Sequence, residues 1–389
     1  MALQVDEEAL RRLRRDLHRI PELDFDLPQT LAYVRRELEG AASLMREKAQ
    51  VRGVDAQVRV FSPSRSAVCL HLDLGTPGAT AFRSDMDALP VDERTGAPYA
   101  SDHPGRMHAC GHDGHMAMVL GLAWWLAQNV EAVRRSVLLV FQPAEETTGG
   151  AKVVCQSGVF GELGVDRIYG FHLWPDLPKG QVAGRAGALL AASNEITVHV
   201  RGRASHIAKA ADGADALECA CDYLGRAYAY ANQRRQEEAF LLKFGHLQAG
   251  QVRNQIAAQA VLEGSLRTFS LPMGKRARKD LADLADRAAA DHGCTAEVAY
   301  SEGYPPVVND RGLFEASTAW LASGGIQVAP VAEPLLISED FAWYQQWLPG
   351  DFMLLGTGTG IPLHSDTFDF DESVLVRGLA VYQRLALMG

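Results

Sequence analysis

The chain has 389 residues, and its 38 lysines and arginines against 48 aspartates and glutamates give a formal net charge of −10. A chain of this length exceeds the size at which one hydrophobic core stops growing, so two domains are expected. The acidic balance argues against a nucleic-acid-binding protein, and no apolar run reaches the ~18 residues of a membrane span.

The N-terminal stretch 1–23 is charged throughout and lacks the apolar core of a secretory signal. The six cysteines show no spacing typical of a disulfide framework, which fits reduced thiols. We therefore expect a cytoplasmic protein with neither nucleic-acid nor membrane partners.

The first half of the chain alternates between helix-like and strand-like patterns. Apolar residues recur every three or four positions over 7–22, which predicts an amphipathic helix whose arginine-rich outer face is solvated. Strands are predicted at 67–75, 80–90, 135–146 and 167–175. A buried helix is predicted from Met116 onward, after a glycine-containing loop. This order indicates an α/β domain with a mixed, largely parallel sheet flanked by helices.

The pattern changes after about residue 189. Alternating strands are predicted at 194–202, 241–250, 259–269 and 294–303, with helices at 214–236 and 275–292. This β-α-β-β-α-β order indicates a compact α+β unit. The prediction is therefore a catalytic domain formed by 1–188 and 303–389, with a smaller α+β domain inserted at 189–302.

The segment MHACGHDGH, residues 107–115, concentrates groups that bind metals just before an apolar helix. A lone buried histidine is usually an ordinary core residue, and a lone cysteine is usually a small buried hydrophobe. Cys110 and His112 together, with glycines that let the backbone turn tightly, favour a metal site instead. A tetrahedral site needs further ligands from elsewhere in the chain.

Further candidates for ligands follow the ends of predicted strands. Glu145 and Glu146 come directly after an apolar strand, His172 ends the next one, and His364 lies in a glycine-flanked loop. Adjacent glutamates are usually solvated surface groups. In a parallel sheet, however, functional groups collect at the carboxyl ends of strands, which is where the two glutamates and His172 are predicted to lie.

Six motifs in register carry a family resemblance: RSDMDALP, MHACGHDGH, FQPAEE, GFHLWP, EDF and LHSDTFDFDE. Together they resemble the amidohydrolase branch of the aminoacylase and carboxypeptidase metallohydrolases, which includes hippurate hydrolases, auxin-conjugate hydrolases and N-acetyl-diaminopimelate deacetylases. The resemblance covers nearly the whole chain. It implies that two divalent metal ions are bound by five ligands, Cys110, His112, Glu146, His172 and His364. It also implies that Glu145 is the general base and that the inserted domain is a lid that mediates homodimerisation.

Three residues of the inserted domain match substrate-contacting positions of that family. His206 matches a histidine that supplies an oxyanion donor, while Asn254 and Arg267 match residues that hold the substrate. The alternatives are a solvated loop histidine and ordinary polar residues of edge strands. The family usually has Pro-His four and five residues after this histidine, where this chain has Ala210 and Ala211. That departure leaves the acyl-side specificity open.

Acidic residues near the ligands are expected to orient them rather than to bind metal. Asp85 and Asp87 lie at a predicted strand end, and Asp113 and His115 follow His112 closely. His108 receives no predicted role.

The leading hypothesis is a metal-dependent amidohydrolase that cleaves N-acetyl- or N-benzoyl-type amino acids to a carboxylate and a free amino acid. A dipeptidase or carboxypeptidase on the same scaffold is the alternative, although Cys110 favours the acyl side because the amidohydrolase branch uses cysteine there. A metal-storing or catalytically inactive relative is the third hypothesis. The thiolate favours zinc, the carboxylate and imidazoles also suit manganese, and cobalt or nickel remain candidates.

Overall fold

The computed structural model describes residues 6–389. Its helices and strands, in chain order, are α1 (Glu7–His18), α2 (Pro28–Arg52), β1 (Gln57–Phe61), β2 (Val68–Asp73), β3 (Ala79–Asp85), α3 (His112–Gln128), β4 (Ser136–Gln142), α4 (Gly150–Gln156), α5 (Val159–Glu162), β5 (Val165–Trp174), β6 (Val182–Gly184), β7 (Gly187–Leu190), β8 (Ala192–Arg201), α6 (Ala216–Arg234), β9 (Phe240–Ala249), β10 (Gln259–Thr268), α7 (Leu271–Asp291), β11 (Thr295–Tyr300), β12 (Val307–Asn309), α8 (Arg311–Ser323), β13 (Val328–Pro330), β14 (Gly350–Gly356) and α9 (Val374–Ala386). Among the described residues, no helix combines the length and apolarity needed to cross a membrane.

The chain divides into two compact units. The larger comprises the described residues up to 187 together with 309–332 and 340–389, and the smaller comprises 188–308 and 333–339. Residues 333–339 join the smaller unit because the N–H of Ala191 donates to the carbonyls of Leu335 and Ile337, at 3.1 and 2.8 Å. The role of the inserted segment as a lid and dimerisation domain stays a prediction.

An eight-stranded sheet in the order β1-β2-β4-β3-β5-β14-β6-β13 forms the centre of the larger unit. Strands β4, β3, β5 and β14 are mutually parallel, while β1, β2 and β6 pair antiparallel with their neighbours. Every residue of β3, β4 and β14 is buried, as expected for parallel strands covered on both faces. The register aligns Asp85 with Gln142, and Trp174 with Gly356, so the carboxyl ends of these strands share one edge.

Helix α3 lies within the core and packs against α1, α2 and α9. It begins at His112, not at Met116 as the sequence predicted. Gly111, with φ 86°, takes the left-handed conformation that ends the preceding loop, and the helix starts at the next residue. The strand predicted over 80–90 likewise ends early, at Asp85, because the chain then turns to place Asp87 beside another loop.

The smaller unit contains a four-stranded antiparallel sheet in the order β11-β8-β10-β9. Helices α6 and α7 cover one face, and their small buried residues, such as Ala220 and Ala285, allow close packing. Its elements follow one another as β8, α6, β9, β10, α7 and β11. The predicted fold class, a mixed and largely parallel sheet flanked by helices with a smaller α+β unit, is confirmed.

Candidate metal centre

The start of α3 presents Cys110 and His112 at the carboxyl edge of the large sheet. Both side chains are buried. The Nδ1–H of His112 donates to the carbonyl of Asp87 at 2.8 Å, which fixes the ring and its tautomer. Its Nε2 then points toward the carboxylates of Glu146, at 3.7 Å, and Glu145, at 4.0 Å.

His172 lies near the carboxyl end of β5, and its ring lies beside Cys110. Its Nδ1–H donates to the carbonyl of Leu173 at 2.7 Å, and its Nε2 lies 3.3 Å from Cys110 Sγ. Burial lowers the pKa of His172 to about 3, and the nearby His115 adds to the shift. The ring is therefore neutral at physiological pH and has an Nε2 lone pair for a cation.

Glu145 and Glu146 sit in a turn that follows β4. Ala144 adopts a left-handed φ of 57°, which is uncommon for a residue with a Cβ, and reverses the chain after Pro143. The two oxygens of Asp87 accept the backbone N–H groups of Glu145 and Glu146, at 2.9 and 3.0 Å. Burial raises the pKa of Asp87 to about 6. Asp87 thus fixes the backbone of both glutamates.

His364 reaches the site from the loop between β14 and α9. Its φ of 66° is also left-handed, and its N–H donates to the carbonyl of Ala109 at 2.9 Å. Its Nε2 lies 3.4 Å from Glu146 Oε1, and its side chain is 53% exposed. Burial alone would raise the pKa of Glu146. His364 and His112 lower that pKa by more, so that it falls to about 2. Glu146 is therefore an ionised acceptor.

These side chains form overlapping groups whose ligand atoms lie within 4.8 Å of one another. The groups are Cys110, His112 and His172; Cys110, Glu146 and His364; and His112, Glu145 and Glu146. The structure therefore brings together all five predicted ligands and the predicted base, with the sulfur common to the first two groups.

The donor set fits divalent metal ions. Thiolate, imidazole and carboxylate are the ligands of zinc and of other borderline cations. Burial raises the pKa of the Cys110 thiol well above its usual range, and the carboxylates of Glu146 and Glu145 raise it further. A bound cation would neutralise these carboxylates and displace the thiol proton.

Asp85 and His115 lie beside the predicted ligands but are engaged with other groups. His115 donates from Nδ1 to Asp85 at 2.7 Å, and its Nε2 accepts the N–H of Leu173 at 3.0 Å. Because both ring nitrogens are used, His115 fits an orienting role and not coordination. The other oxygen of Asp85 accepts from the buried Arg83 at 2.7 Å. Burial raises and Arg83 lowers the pKa of Asp85, and the net shift is well below the usual range.

Asp113 faces away from the ligands, into a buried ionic cluster. Its Oδ2 accepts from Arg14 Nε and from His18 Nδ1, both at 2.7 Å. The solvated arginine face predicted for α1 is therefore wrong at Arg14, which is fully buried because Asp113 and other carboxylates neutralise it. His108 is buried next to His18, with ring centroids 6.4 Å apart, and burial lowers its pKa to about 3.

His206, Asn254 and Arg267 lie in the smaller unit. The exposed His206 accepts the N–H of Ala208 at 3.2 Å, and the carbonyl of Asn254 accepts the N–H of Ile207 at 3.0 Å, so these segments are adjacent. Arg267 lies on β10, 3.9 Å from Glu195. Its Nη1 is buried and has no hydrogen-bond partner among the described residues.

Sequence reasoning missed several residues that hold the site. Arg83 bridges Asp85 and Asp340, and the N–H of Asp340 donates to Glu145 Oε1 at 3.3 Å. Asp340 also accepts from Gln142 at 2.7 Å. Arg83 and Asp340 belong to the motifs RSDMDALP and EDF, so the motifs could have indicated them. The contacts of Arg14 with Asp113 carry no local sequence signal.

Comparison with known proteins decides the family. The model for peptidase family M20/M25/M40 matches residues 81–388. The chain belongs to this family. Within M20/M25/M40, the chain is 31% identical over 372 residues to a protein named N-acetyl-L-cysteine deacetylase from Bacillus subtilis strain 168, covering 95% of this chain and 86% of that protein. It is 32% identical over 378 residues to a protein named N-acetyldiaminopimelate deacetylase from Lacticaseibacillus casei strain BL23, covering 96% of each.

A solved M20 structure supports the same assignment. The crystal structure of a Bacillus subtilis protein, named as a dinuclear metal binding peptidase from the M20 family, matches with a TM-score of 0.84 and 31% identity, covering 98% of this chain and 97% of that one. The family resemblance predicted from the motifs is confirmed. The role of each site residue stays a prediction.

Proposed function

We propose that this chain is a dinuclear metal-dependent amidohydrolase that removes the acyl group from small N-acyl amino acids. The observation that carries the proposal is the convergence of the five side chains proposed as ligands with one further glutamate, Glu145, at the carboxyl edge of the sheet. The names of the M20 relatives, N-acetylcysteine and N-acetyldiaminopimelate deacetylases, support the substrate class.

The proposed ligands are Cys110, His112, Glu146, His172 and His364. When bound, the two ions would supply Lewis acidity, which lowers the pKa of water and polarises the amide carbonyl. Zinc or manganese fits this donor set best, with cobalt or nickel as alternatives.

Glu145 is the proposed general base. It lies beside Glu146, and the N–H of Asp340 donates to one of its oxygens at 3.3 Å. From this position Glu145 would take a proton from the attacking water and deliver it to the leaving nitrogen of the substrate. Asp87 would keep Glu145 in place through its backbone N–H, because that hydrogen bond, at 2.9 Å, fixes the turn.

Residues of the smaller unit are proposed to bind the substrate. Arg267 would grip the carboxylate of the amino acid, because its buried Nη1 lacks a hydrogen-bond acceptor among the described residues. His206 would donate to the developing oxyanion, and Asn254 would contact the substrate nearby. We further propose a cytoplasmic homodimer formed through this unit, whose edge strand β9 pairs on one side only within the described chain.

Exchange of Glu145 for glutamine tests the proposal. Glu145→Gln should retain both metal ions but lower kcat by about 10²- to 10⁴-fold, the usual contribution of general acid–base catalysis. The matched control is Glu162→Gln, because Glu162 is an exposed residue of α5. Nearly full activity of Glu145→Gln on N-acetyl amino acids would refute the assigned role.

A substrate screen separates the two enzyme hypotheses. The amidohydrolase hypothesis predicts that acetyl- and benzoyl-amino acids are hydrolysed faster than dipeptides. A dipeptide carries a free amino terminus, which a peptidase site must accommodate and a deacylase site need not. Faster cleavage of dipeptides would favour the peptidase alternative on the same scaffold.

A further inference from the structure

A buried arginine of α1 contacts two of the chain segments that carry proposed ligands. Arg14 Nε lies 2.7 Å from Asp113 Oδ2, and Arg14 Nη2 lies 2.9 Å from Asp369 Oδ1. Asp113 directly follows His112, and Asp369 lies in the loop that begins at His364. Arg14 therefore connects the first turn of α3 to the loop of His364, although it contacts no proposed ligand itself.

The loop that carries His364, residues 364–373, is held in place by contacts of its backbone and of Asp369. The side chain of His364 is half-exposed, so surrounding atoms constrain it weakly, and its direction follows the backbone of the loop. The backbone is held by the hydrogen bond of the His364 N–H to Ala109. It is also held at Asp369, where one oxygen pairs with Arg14 and the other accepts the hydroxyl of Tyr99 at 2.8 Å.

The buried charge of Arg14 constrains the relative positions of the groups that it connects. The guanidinium is fully buried, and Glu372 contacts it at 3.5 Å in addition to Asp113 and Asp369. Its central carbon lies 4.6 Å from the ring centre of Phe370, on the same loop. A buried charge that loses one of its partners is strongly destabilised, so the planar fork and its carboxylates must keep their relative positions.

We propose that Arg14 is a positioning residue that sets the affinity for the metal ion on the His364 side of the site. The inference rests on the proposed function only in requiring that the ligands hold two ions. The group of Cys110, Glu146 and His364 depends on the position of the loop, whereas His112 and His172 belong to α3 and β5. Weakening the contact between Arg14 and Asp369 should therefore affect one ion selectively.

The test compares two aspartates of the same loop. Asp369→Ala removes the contact with Arg14 together with the hydrogen bond from Tyr99. Asp371→Ala removes an exposed ion pair with Lys179 and the hydrogen bond from the Ser373 N–H, and it leaves the contacts of Arg14 in place. Metal-depleted proteins would be dialysed against a series of free Zn²⁺ concentrations, and the bound zinc measured by mass spectrometry. His364→Ala serves as the reference for loss of the ion on that side.

Asp369→Ala should raise the Kd of one ion by about 10-fold and leave the other within twofold. This is the lower end of the effect of losing a hydrogen-bond partner of a ligand, because Asp369 acts on His364 only through the loop. Its zinc content should approach that of His364→Ala, while Asp371→Ala should match the parent. Equal zinc binding by both aspartate variants would overturn the proposal. Weaker binding of both ions by Asp369→Ala, together with a lower unfolding temperature, would also overturn the proposal, because that result indicates general destabilisation.

A second variant covers the case in which Asp369→Ala does not fold. Arg14→Lys keeps the charge but cannot hold Asp113 and Asp369 together with a planar fork, so the loop is released from α3. Helix α3 stays packed against α1, α2 and α9, and the same selective loss of one ion is therefore expected. Retention of both ions at parental affinity would overturn the proposal. Failure of the proposed function has a different signature: a parent protein that binds two ions but hydrolyses no N-acyl amino acid.

Discussion

Asp87 offers the sharpest test of how the glutamate turn is held. Its two oxygens accept the N–H groups of Glu145 and Glu146 at 2.9 and 3.0 Å, and the side chain is buried. Asp87→Asn keeps the shape but leaves one oxygen, so one backbone N–H must face an amide NH₂ group. A buried donor left without an acceptor costs about 1–3 kcal/mol. If that cost appears in the transition state, kcat/KM should fall by roughly 10- to 100-fold.

The assay is hydrolysis of an N-acetyl amino acid at saturating metal, with bound metal measured in parallel. The control is Asp92→Asn, because Asp92 lies on the same connection but is exposed. Asp92→Asn should be indistinguishable from the parent. If Asp87→Asn kept more than half of the parental kcat/KM and its full metal content, the argument that Asp87 positions both glutamates would be refuted.

Three further outcomes are expected. Burial raises the pKa of Asp351 to about 7, whereas the unfolded chain ionises near its usual value of about 4. The free energy of unfolding is therefore highest below about pH 4, falls as pH rises toward 7 and is level above that; Asp351→Asn should remove about 3 kcal/mol of the loss between pH 5 and pH 8, measured by urea titration. Gly114→Ala should destabilise by about 1–3 kcal/mol because a Cβ there would lie 2.7 Å from a Leu173 methyl, whereas Gly161→Ala, with open space around it, should not lower the unfolding temperature. Cys110→Ser should weaken zinc binding more than manganese binding in a competition titration, because a hydroxyl is a harder ligand than a thiolate.

The candidate ligands could be predicted because a parallel sheet has a simple geometry. Glu146 follows β4 and His172 lies near the carboxyl end of β5. Both strands pair in parallel with β3, which lies between them, so their carboxyl ends share one edge of the sheet. Cys110 is indicated by its spacing with His112 and by the flanking glycines, His364 is a candidate in a glycine-flanked loop, and the family resemblance joins both to the ligand set. Local pattern and family motifs were therefore sufficient to propose the ligand set.

The supporting contacts were beyond sequence reasoning. Arg14 lies on a helix whose leucines indicate the buried face, and nothing in α1 shows that the arginine meets Asp113 and Asp369. Such ion pairs depend on how distant elements pack, which no local periodicity encodes. The start of α3 was misplaced for a related reason, since the polar residues after Gly111 resembled a loop although they form the first helical turn.

The central claim is that the ligand side chains share two ions and leave Glu145 uncoordinated. Anomalous diffraction from crystals of the zinc-loaded protein tests it most directly. The account predicts two zinc peaks, bound by Cys110, His112, Glu146, His172 and His364, with Glu145 outside the coordination shell. A single zinc peak, or Glu145 bound to the metal as a ligand, would contradict it.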